Sequence, residues 1–470
     1  MKACSLIDKA RCNCAVVGVY GTTEASRLAY LALYAQQHRG QESSGIVASD
    51  GRRVNRHVGR GLVADVFSDQ ALFATLGGHM AIGHNRYSTT GASHLVNAQP
   101  LVANFREGPF AVSHNGNFTN AGELRRRLEE QGSLYQTTTD TEVVLHLIAR
   151  SRAQDMTSRI AEALLQIEGA YSLVMMCNGR IYAARDPHGV RPLCLGHKEG
   201  SWFVASETCA LDLLRAEIVR DIEPGELIEI HDGVVESHRF APLTPRHACI
   251  FEFVYFSRPD SRIFNENVDR VRRRLGKNLA LESPAEADIV ISVPDSSNTA
   301  AVGYSRRTGI KFELGLIRNH YVGRTFIHPQ QDMRDFNVRI KFNPVKGVLQ
   351  DRRVVVIEDS IVRGTTLRQL VSLIRQAGAR EVHVRVSSPP IISPCYYGMD
   401  FPSTSELIAA HKSVEEIRAW LQCDSLAYLS LEGLLKSVAH DDEGYCAACF
   451  TGEYPIPVED NYSERVHEPL

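Results

Sequence analysis

The 470-residue chain contains no run of 18 apolar residues, which excludes an ordinary membrane-spanning helix. Its N-terminus, M-K-A-C-S-L-I-D-K-A-R-C-N, lacks the apolar core of a secretory signal, so a cytoplasmic location is expected. Neither sign of charge dominates: 52 basic against 55 acidic residues give a formal charge of −3, which removes the general electrostatic reason to expect nucleic acid as a partner. Arginine clusters at Arg125 to Arg127 and Arg272 to Arg274 fall in helical patterns and read as solvated faces. Neither a membrane nor nucleic acid is therefore expected as a partner. The setting for a disulfide framework is also missing: eleven cysteines in a cytosolic chain of this length point to thiols, metal ligands or a nucleophile. The length is too great for one ordinary core, and two domains of roughly 200 residues are the natural expectation.

What is present is organised around Arg352 to Thr366, R-R-V-V-V-I-E-D-S-I-V-R-G-T-T. The β-branched run Val354 to Ile357 reads as a strand buried on both faces, stopped by two acids. Leu367, Leu370, Val371, Ile374 and Ala377 then recur at helical spacing, and Gly378 closes the helix. Between strand and helix, Arg363, Gly364, Thr365 and Thr366 offer successive backbone N–H groups at a helix N-terminus, a phosphate site. Glu358 and Asp359, at the carboxyl end of the strand, are placed to accept ribose hydroxyls or hold Mg2+. This stretch resembles the phosphoribosyl-pyrophosphate loop of the type I phosphoribosyltransferases. S-I-V-R-G-T-T, beginning at Ser360, resembles in particular the glutamine phosphoribosylpyrophosphate amidotransferase family.

Cys14 opens an apolar strand, C-A-V-V-G-V-Y-G, a dozen residues from the start. A lone cysteine on a strand is most often a small buried hydrophobe. Cleavage between Asn13 and Cys14 would instead leave a thiol and a free α-amine on one residue, the amine serving as base with a pKa of about 7.7 to 8.0. Four further segments follow: Q-H-R-G-Q-E-S-S-G-I from Gln37, G-H-N-R-Y-S-T-T-G from Gly83, S-H-N-G-N from Ser113 and T-T-D-T-E from Thr138. Each is weak alone, since Asn-Gly is a common hairpin signal and Asp140 with Glu142 could cap the helix Val143 to Arg150. In this order they resemble the glutaminase half of the N-terminal-nucleophile amidotransferases. The resemblance implies that Cys14 attacks the glutamine side-chain amide while Asn115 and Gly116 form the oxyanion hole. It implies also that Arg86 pairs with the substrate α-carboxylate, that Asp140 pairs with its α-ammonium, and that Arg39 helps close the site.

From about Cys249 the pattern changes to strands alternating with longer helices, the mark of a parallel α/β sheet. I-V-I-S-V-P-D-S-S from Ile289 resembles the family's pyrophosphate loop, so that Asp295 and Ser296 face the leaving group. The polar stretch beyond Gly315 matches the family at Y-V-G-R-T-F-I and reads as a closing loop, with Arg324 and Lys341 supplying positive charge. The phosphoribosyl pyrophosphate site implied by the family is thus Asp295, Ser296, Arg324, Lys341, Glu358, Asp359, Ser360, Arg363, Gly364, Thr365 and Thr366. Within it Mg2+ falls to Ser296, Glu358 and Asp359. Cys446 and Cys449 form C-x-x-C, a metal or redox signal. With Cys249 and Cys395 they match the places where the iron-sulphur subgroup holds a [4Fe-4S] cluster, with a Cys4 zinc site as the alternative.

The resemblance covers nearly the whole chain. It implies a propeptide at 1–13 and, over 14–240, an α+β glutaminase domain of the N-terminal-nucleophile type, an αββα sandwich. An α/β type I phosphoribosyltransferase domain with a parallel sheet is implied for 241–410, and a C-terminal helical segment carrying cluster cysteines for 411–470. The implied activity is amidophosphoribosyltransferase. Glutamine, phosphoribosyl pyrophosphate and water would give phosphoribosylamine, glutamate and pyrophosphate. Purine nucleotides as inhibitors and a homotetramer are expected from the family. The chain departs from the family's usual residues at Ala15, Asn85, Ser297 and Glu358, on which a competing reading rests: a catalytically impaired paralogue that senses phosphoribosyl pyrophosphate or a nucleotide.

Overall fold

The computed structural model describes residues 14–87, 94–319, 341–399, 401, 403–438 and 444–458. The expected propeptide and Arg324 lie outside them. Among the described residues no helix is long and apolar enough to cross a membrane.

The N-terminal half follows from period-two alternation. On the strand Ala15–Tyr20, Val17 and Val19 pack against the helices Ala25–Ala35 and Thr208–Leu214, while Val16 and Tyr20 point the other way, toward Val174, Met176 and Ile228 of a second sheet. The first sheet has seven strands in the order Glu217–Asp221, Cys194–Lys198, Ser201–Ala205, Ala15–Tyr20, Met80–Arg86, Ser43–Ser49, Val54–Arg60. The second has six, in the order Val234–Arg239, Glu226–His231, Arg180–Arg185, Gly169–Cys177, Gly108–Phe118, Leu101–Phe105. Its far face, with Phe110, Val112, Leu173 and Met175, is covered by Leu124, Val144, Ile148 and Ile160 from three helices. The result is helix, sheet, sheet, helix, as expected. Each aliphatic side chain fully enclosed between layers contributes about 1.5–3 kcal/mol.

The C-terminal half is built on a five-stranded parallel sheet, ordered Lys311–Phe312, Ile289–Ser292, Arg353–Glu358, Glu381–Val386, Ser425–Tyr428. The uninterrupted β-branched run of its central strand is explained by two cores. Val354 and Val356 meet Leu370 and Ile374 of the helix Thr365–Gln376, and Val355 and Ile357 meet Val271, Leu275 and Tyr304 on the other face. That second face carries the helices Val268–Glu282 and Asn298–Thr308, which approach backbone to backbone. A Cβ on Gly276 would sit 1.8 Å from the Ala300 carbonyl oxygen, and one on Gly303 2.2 Å from that of Arg273. Chain order reverses between Ile289–Ser292 and Arg353–Glu358, which opens a crevice at their carboxyl ends.

Two expectations are corrected. The parallel sheet does not stop at 410: Ser425–Tyr428 pairs with Glu381–Val386, and Ile417 and Leu421 of the helix Val414–Leu421 join its core, so part of 411–470 belongs to the sheet. Before that helix the chain makes a 3-10 turn, Thr404–Glu406, and the short helix Ile408–His411. Arg272 is not solvated. Its guanidinium is buried and donates to the carbonyls of Phe253, Tyr255 and Ser257, around the π-helical turn Glu252–Phe256. The last described stretch returns to the junction of the halves, where Tyr445–Cys446 pairs in parallel with Ala248–Cys249.

Candidate active site

Cys14 lies at the start of the central strand of the first sheet, immediately before Ala15–Tyr20, with its Sγ 3.6 Å from the Tyr87 carbonyl. Burial pushes the thiol up to about 11, against the opposing pull of the Tyr87 hydrogen bond and the nearby Arg86 guanidinium, and Asp140 stands close enough to raise it further. The structure therefore brings Cys14, Arg86 and Asp140 together from three separate segments. Asp140 does not cap the following helix Glu142–Arg150; its carboxylate turns back to accept from the Phe118 N–H at 3.0 Å and from the Thr141 hydroxyl at 3.3 Å. Burial favours the neutral form of Asp140, but His114 and these hydrogen bonds outweigh it and hold the carboxyl below its ordinary value.

Asn115 and Gly116 sit on the long strand Gly108–Phe118. Gly116 has φ +146, and a Cβ there would lie 2.0 Å from the Ala170 carbonyl oxygen, so only glycine fits. Asn115 is buried, its Nδ2 is 3.5 Å from Ser206 Oγ, and its Oδ1 has no hydrogen-bond partner. Ser206 Oγ accepts from the Val16 N–H at 3.0 Å and so ties this strand to the strand after the thiol. No local pattern in the sequence marks Ser206 as a partner of Asn115.

Arg39 serves the site from beneath. Its Nε donates to the Cys14 carbonyl at 3.3 Å, and the rest of the guanidinium is bound to Glu207 and, at 3.0 and 2.7 Å, to Glu252 of the C-terminal half. All three side chains are fully buried. Glu252 also takes Arg191 at 3.2 Å, and Arg191 donates to the Tyr397 carbonyl at 2.9 and 2.5 Å. Glu207 accepts in turn from the Arg258 N–H and the Ser261 hydroxyl, across the same junction. Asn85 is no defect: it donates to the Leu33 carbonyl at 2.8 Å and accepts from Ser44 at 3.0 Å, satisfied on the helix side of the sheet.

The second site lies in the crevice where chain order reverses. Glu358, Asp359 and Ser360 are buried at the end of their strand. Ser296 Oγ donates to Asp359 Oδ2 at 2.5 Å, and Ser297 Oγ lies 3.2 Å from Glu358 Oε1 and 3.4 Å from Asp359 Oδ2. Ser360 Oγ donates to Asp359 Oδ1 at 2.7 Å. The Ser297 hydroxyl thus serves the longer carboxylate of Glu358. Two adjacent carboxylates fixed by hydroxyls from a facing loop form an oxygen-rich donor set suited to Mg2+. Asp295 faces Arg318 at 2.8 Å, and the Asn319 N–H donates to the Lys341 carbonyl at 2.8 Å. Gly364, φ +77, is the residue before the helix Thr365–Gln376, so the N–H groups of Thr365 and Thr366 open its first turn beside the two acids. Arg363 leans outward to Glu406 at 2.8 Å.

Cys249, Cys395, Cys446 and Cys449 converge at the junction. Cys249 and Cys446 are Cα partners in the short parallel pair, and the Cys449 carbonyl accepts from the N–H groups of Ile392 and Ser393 at 3.0 and 3.2 Å. Burial raises all four thiols, that of Cys249 to about 12, and Cys449 is raised further by the other three. Such a set becomes thiolate only around positive charge. Among the described residues, three or more donor atoms within 4.8 Å of one another occur at Glu229, Glu236 and His238 but not at these sulfurs. One tetrahedral zinc with ~2.3 Å bonds needs sulfurs about 3.8 Å apart. Four converging thiols are a donor set that a multi-iron cluster or a single zinc ion can use.

Comparison with known proteins shows what the chain as a whole is similar to. A glutamine amidotransferase domain model matches residues 84–213. The chain is 52% identical over 456 residues to the chloroplastic amidophosphoribosyltransferase 2 of Arabidopsis thaliana, covering 96% of this chain and 81% of that protein. It is 48% identical over 464 residues to the amidophosphoribosyltransferase of Bacillus subtilis strain 168, covering 97% of each. Its fold matches the solved glutamine phosphoribosylpyrophosphate amidotransferase of B. subtilis complexed with ADP and GMP, with a TM-score of 0.90, 47% identity, and coverage of 95% of this chain and 98% of that one.

Proposed function

The chain belongs to the amidophosphoribosyltransferases, and from that membership we propose how its residues divide the reaction. The reaction takes glutamine, phosphoribosyl pyrophosphate and water to 5-phosphoribosylamine, glutamate and pyrophosphate, the first step of purine biosynthesis. One observation carries the division between halves: a buried thiol flanked by Arg86 and Asp140 in one, and the Glu358–Asp359 pair at the strand-order reversal in the other.

In the N-terminal half, removal of residues 1–13 frees the Cys14 α-amine. A thiol held near 11 supplies little thiolate at neutral pH, so the amine takes its proton as Sγ attacks the amide carbon. Negative charge growing on the amide oxygen meets Asn115 Nδ2 and the Gly116 N–H, each donor worth about 100-fold in rate. The proton passes to the departing nitrogen, ammonia leaves, and water then cleaves the thioester to release glutamate. Arg86 holds the substrate α-carboxylate and Asp140, kept ionised, holds its α-ammonium. Arg39 fixes the Cys14 carbonyl from below.

In the C-terminal half, the N–H groups and hydroxyls of Ser360 to Thr366 take the 5-phosphate, with Arg363 and Gly364 shaping the turn. Glu358 and Asp359 orient the ribose, while Asp295, Ser296, Arg324 and Lys341 face the pyrophosphate. Ammonia attacks the anomeric carbon as pyrophosphate departs. Ser296, Glu358 and Asp359 would hold Mg2+, which when bound would supply positive charge to offset that on the leaving group. Cys249, Cys395, Cys446 and Cys449 would hold a [4Fe-4S] cluster, which would tie the C-terminal segment to the strand Ala248–Cys249. Binding of purine nucleotides as inhibitors, a homotetramer and a cytoplasmic location complete the reading; the B. subtilis relative solved with ADP and GMP supports the first of these.

The test pairs intact mass with a split assay. Active protein should begin at Cys14, and Cys14→Ala should lose glutamine-dependent synthesis while keeping ammonia-dependent synthesis. Full activity in a chain that retains residues 1–13, or equal loss of both activities, overturns the assignment.

A further inference from the structure

We propose that the Tyr396–Gly398 segment of the C-terminal half is a positioning element of the oxyanion site in the N-terminal half. The inference rests on the assignment of Asn115 and Gly116 made above.

Gly116 is confined from two sides. The Ala170 carbonyl of the neighbouring strand closes one of them. Gly398 closes the other: a Cβ built on it would lie 2.9 Å from the Gly116 carbonyl carbon, 3.0 Å from its oxygen and 3.1 Å from its Cα. Such distances mean that the two main chains touch with no side chain between them. One residue further along the strand, Asn117 Nδ2 donates to the Tyr396 carbonyl at 2.8 Å. The intervening carbonyl, that of Tyr397, takes two bonds from buried Arg191. Arg191 shares Glu252 with Arg39, and Arg39 holds the Cys14 carbonyl. Three consecutive residues of one half are therefore fixed against both the oxyanion strand and, through Arg191, Glu252 and Arg39, the residue that carries the thiol.

The geometry has a kinetic signature. An oxyanion donor strengthens its bond only as charge develops, so moving it lowers turnover while leaving ground-state binding of glutamine nearly unchanged. A methyl group at Gly398 falls inside the ~3.5–4.0 Å contact distance of carbon atoms and must displace Gly116 by several tenths of an ångström.

The experiment measures glutaminase kcat and KM, together with ammonia-dependent phosphoribosylamine synthesis, in processed, full-length Gly398→Ala and Asn117→Ala. The expected result is a fall in glutaminase kcat of about 10-fold for Gly398→Ala and a smaller fall for Asn117→Ala. In both, KM for glutamine should stay within about 3-fold and ammonia-dependent synthesis within about 2-fold. Asn117→Ala adds no volume and carries the test even where Gly398→Ala fails to fold. Unchanged kcat, a change in KM alone, or equal loss of both activities overturns the proposal. Asn115→Ala separates the two readings: if it keeps wild-type glutaminase kcat, the oxyanion assignment itself falls, whatever the Gly398 variant does.

Discussion

His84 shows what burial does to a single titratable group. It is fully enclosed, its Nε2 lies 2.9 Å from the His114 carbonyl, and its other nitrogen has no hydrogen-bond partner. Burial, with Arg86 nearby, lowers it to about 3. Because the unfolded chain takes up this proton near pH 6.5 and the folded chain does not, the stability it protects is complete above about 6.5. That stability is lost as pH falls toward 3, at up to about 1.4 kcal/mol per unit. Urea unfolding at pH 7.0 and 5.5 should show this slope, and His84→Asn should flatten it. At this scale the sequence was readable where chemistry is announced by type and place: Cys14 before a strand, Asp140 before a helix, Glu358 and Asp359 after a strand. It named Arg39 but was silent about its pairing with Glu252, 213 positions away, because no local pattern encodes which distant carboxylate a buried guanidinium meets.

Among elements, the turn from Arg353–Glu358 into Thr365–Gln376 has the least freedom. Gly364 combines φ +77 with a Cβ direction that ends 2.7 Å from the Trp420 ring. Gly364→Ala should weaken binding of phosphoribosyl pyrophosphate with magnesium by about 10-fold or more, about 1.4 kcal/mol. Glutamine hydrolysis measured alone should be unchanged; calorimetry against the sugar diphosphate checks the first and a glutamate assay the second. This strand and helix were legible because both strand faces are buried and one helix face is continuously apolar. The edge strand Ser425–Tyr428 was not, since all four of its residues are only half-buried and give neither an apolar run nor clean alternation. Arg272 was misread for a related reason: the carbonyls that bury it belong to a turn some fifteen to twenty residues earlier.

Across the whole molecule the two folds meet through buried charge, Arg39 and Arg191 against Glu252, and among the described residues they share no sheet. Cys395→Ser should reduce bound iron from about four per chain to below one and lower the thermal midpoint by several degrees, read by iron assay and calorimetry. Retention of full iron would remove Cys395 from the ligand set. The parallel pairing of Ala248–Cys249 with Tyr445–Cys446 also sets an order of events on the ribosome. The first strand has left the exit tunnel long before its partner exists, so this pair forms only when translation is nearly finished. A polypeptide cut short before residue 445 therefore leaves the strand edge of Ala248–Cys249 without its partner.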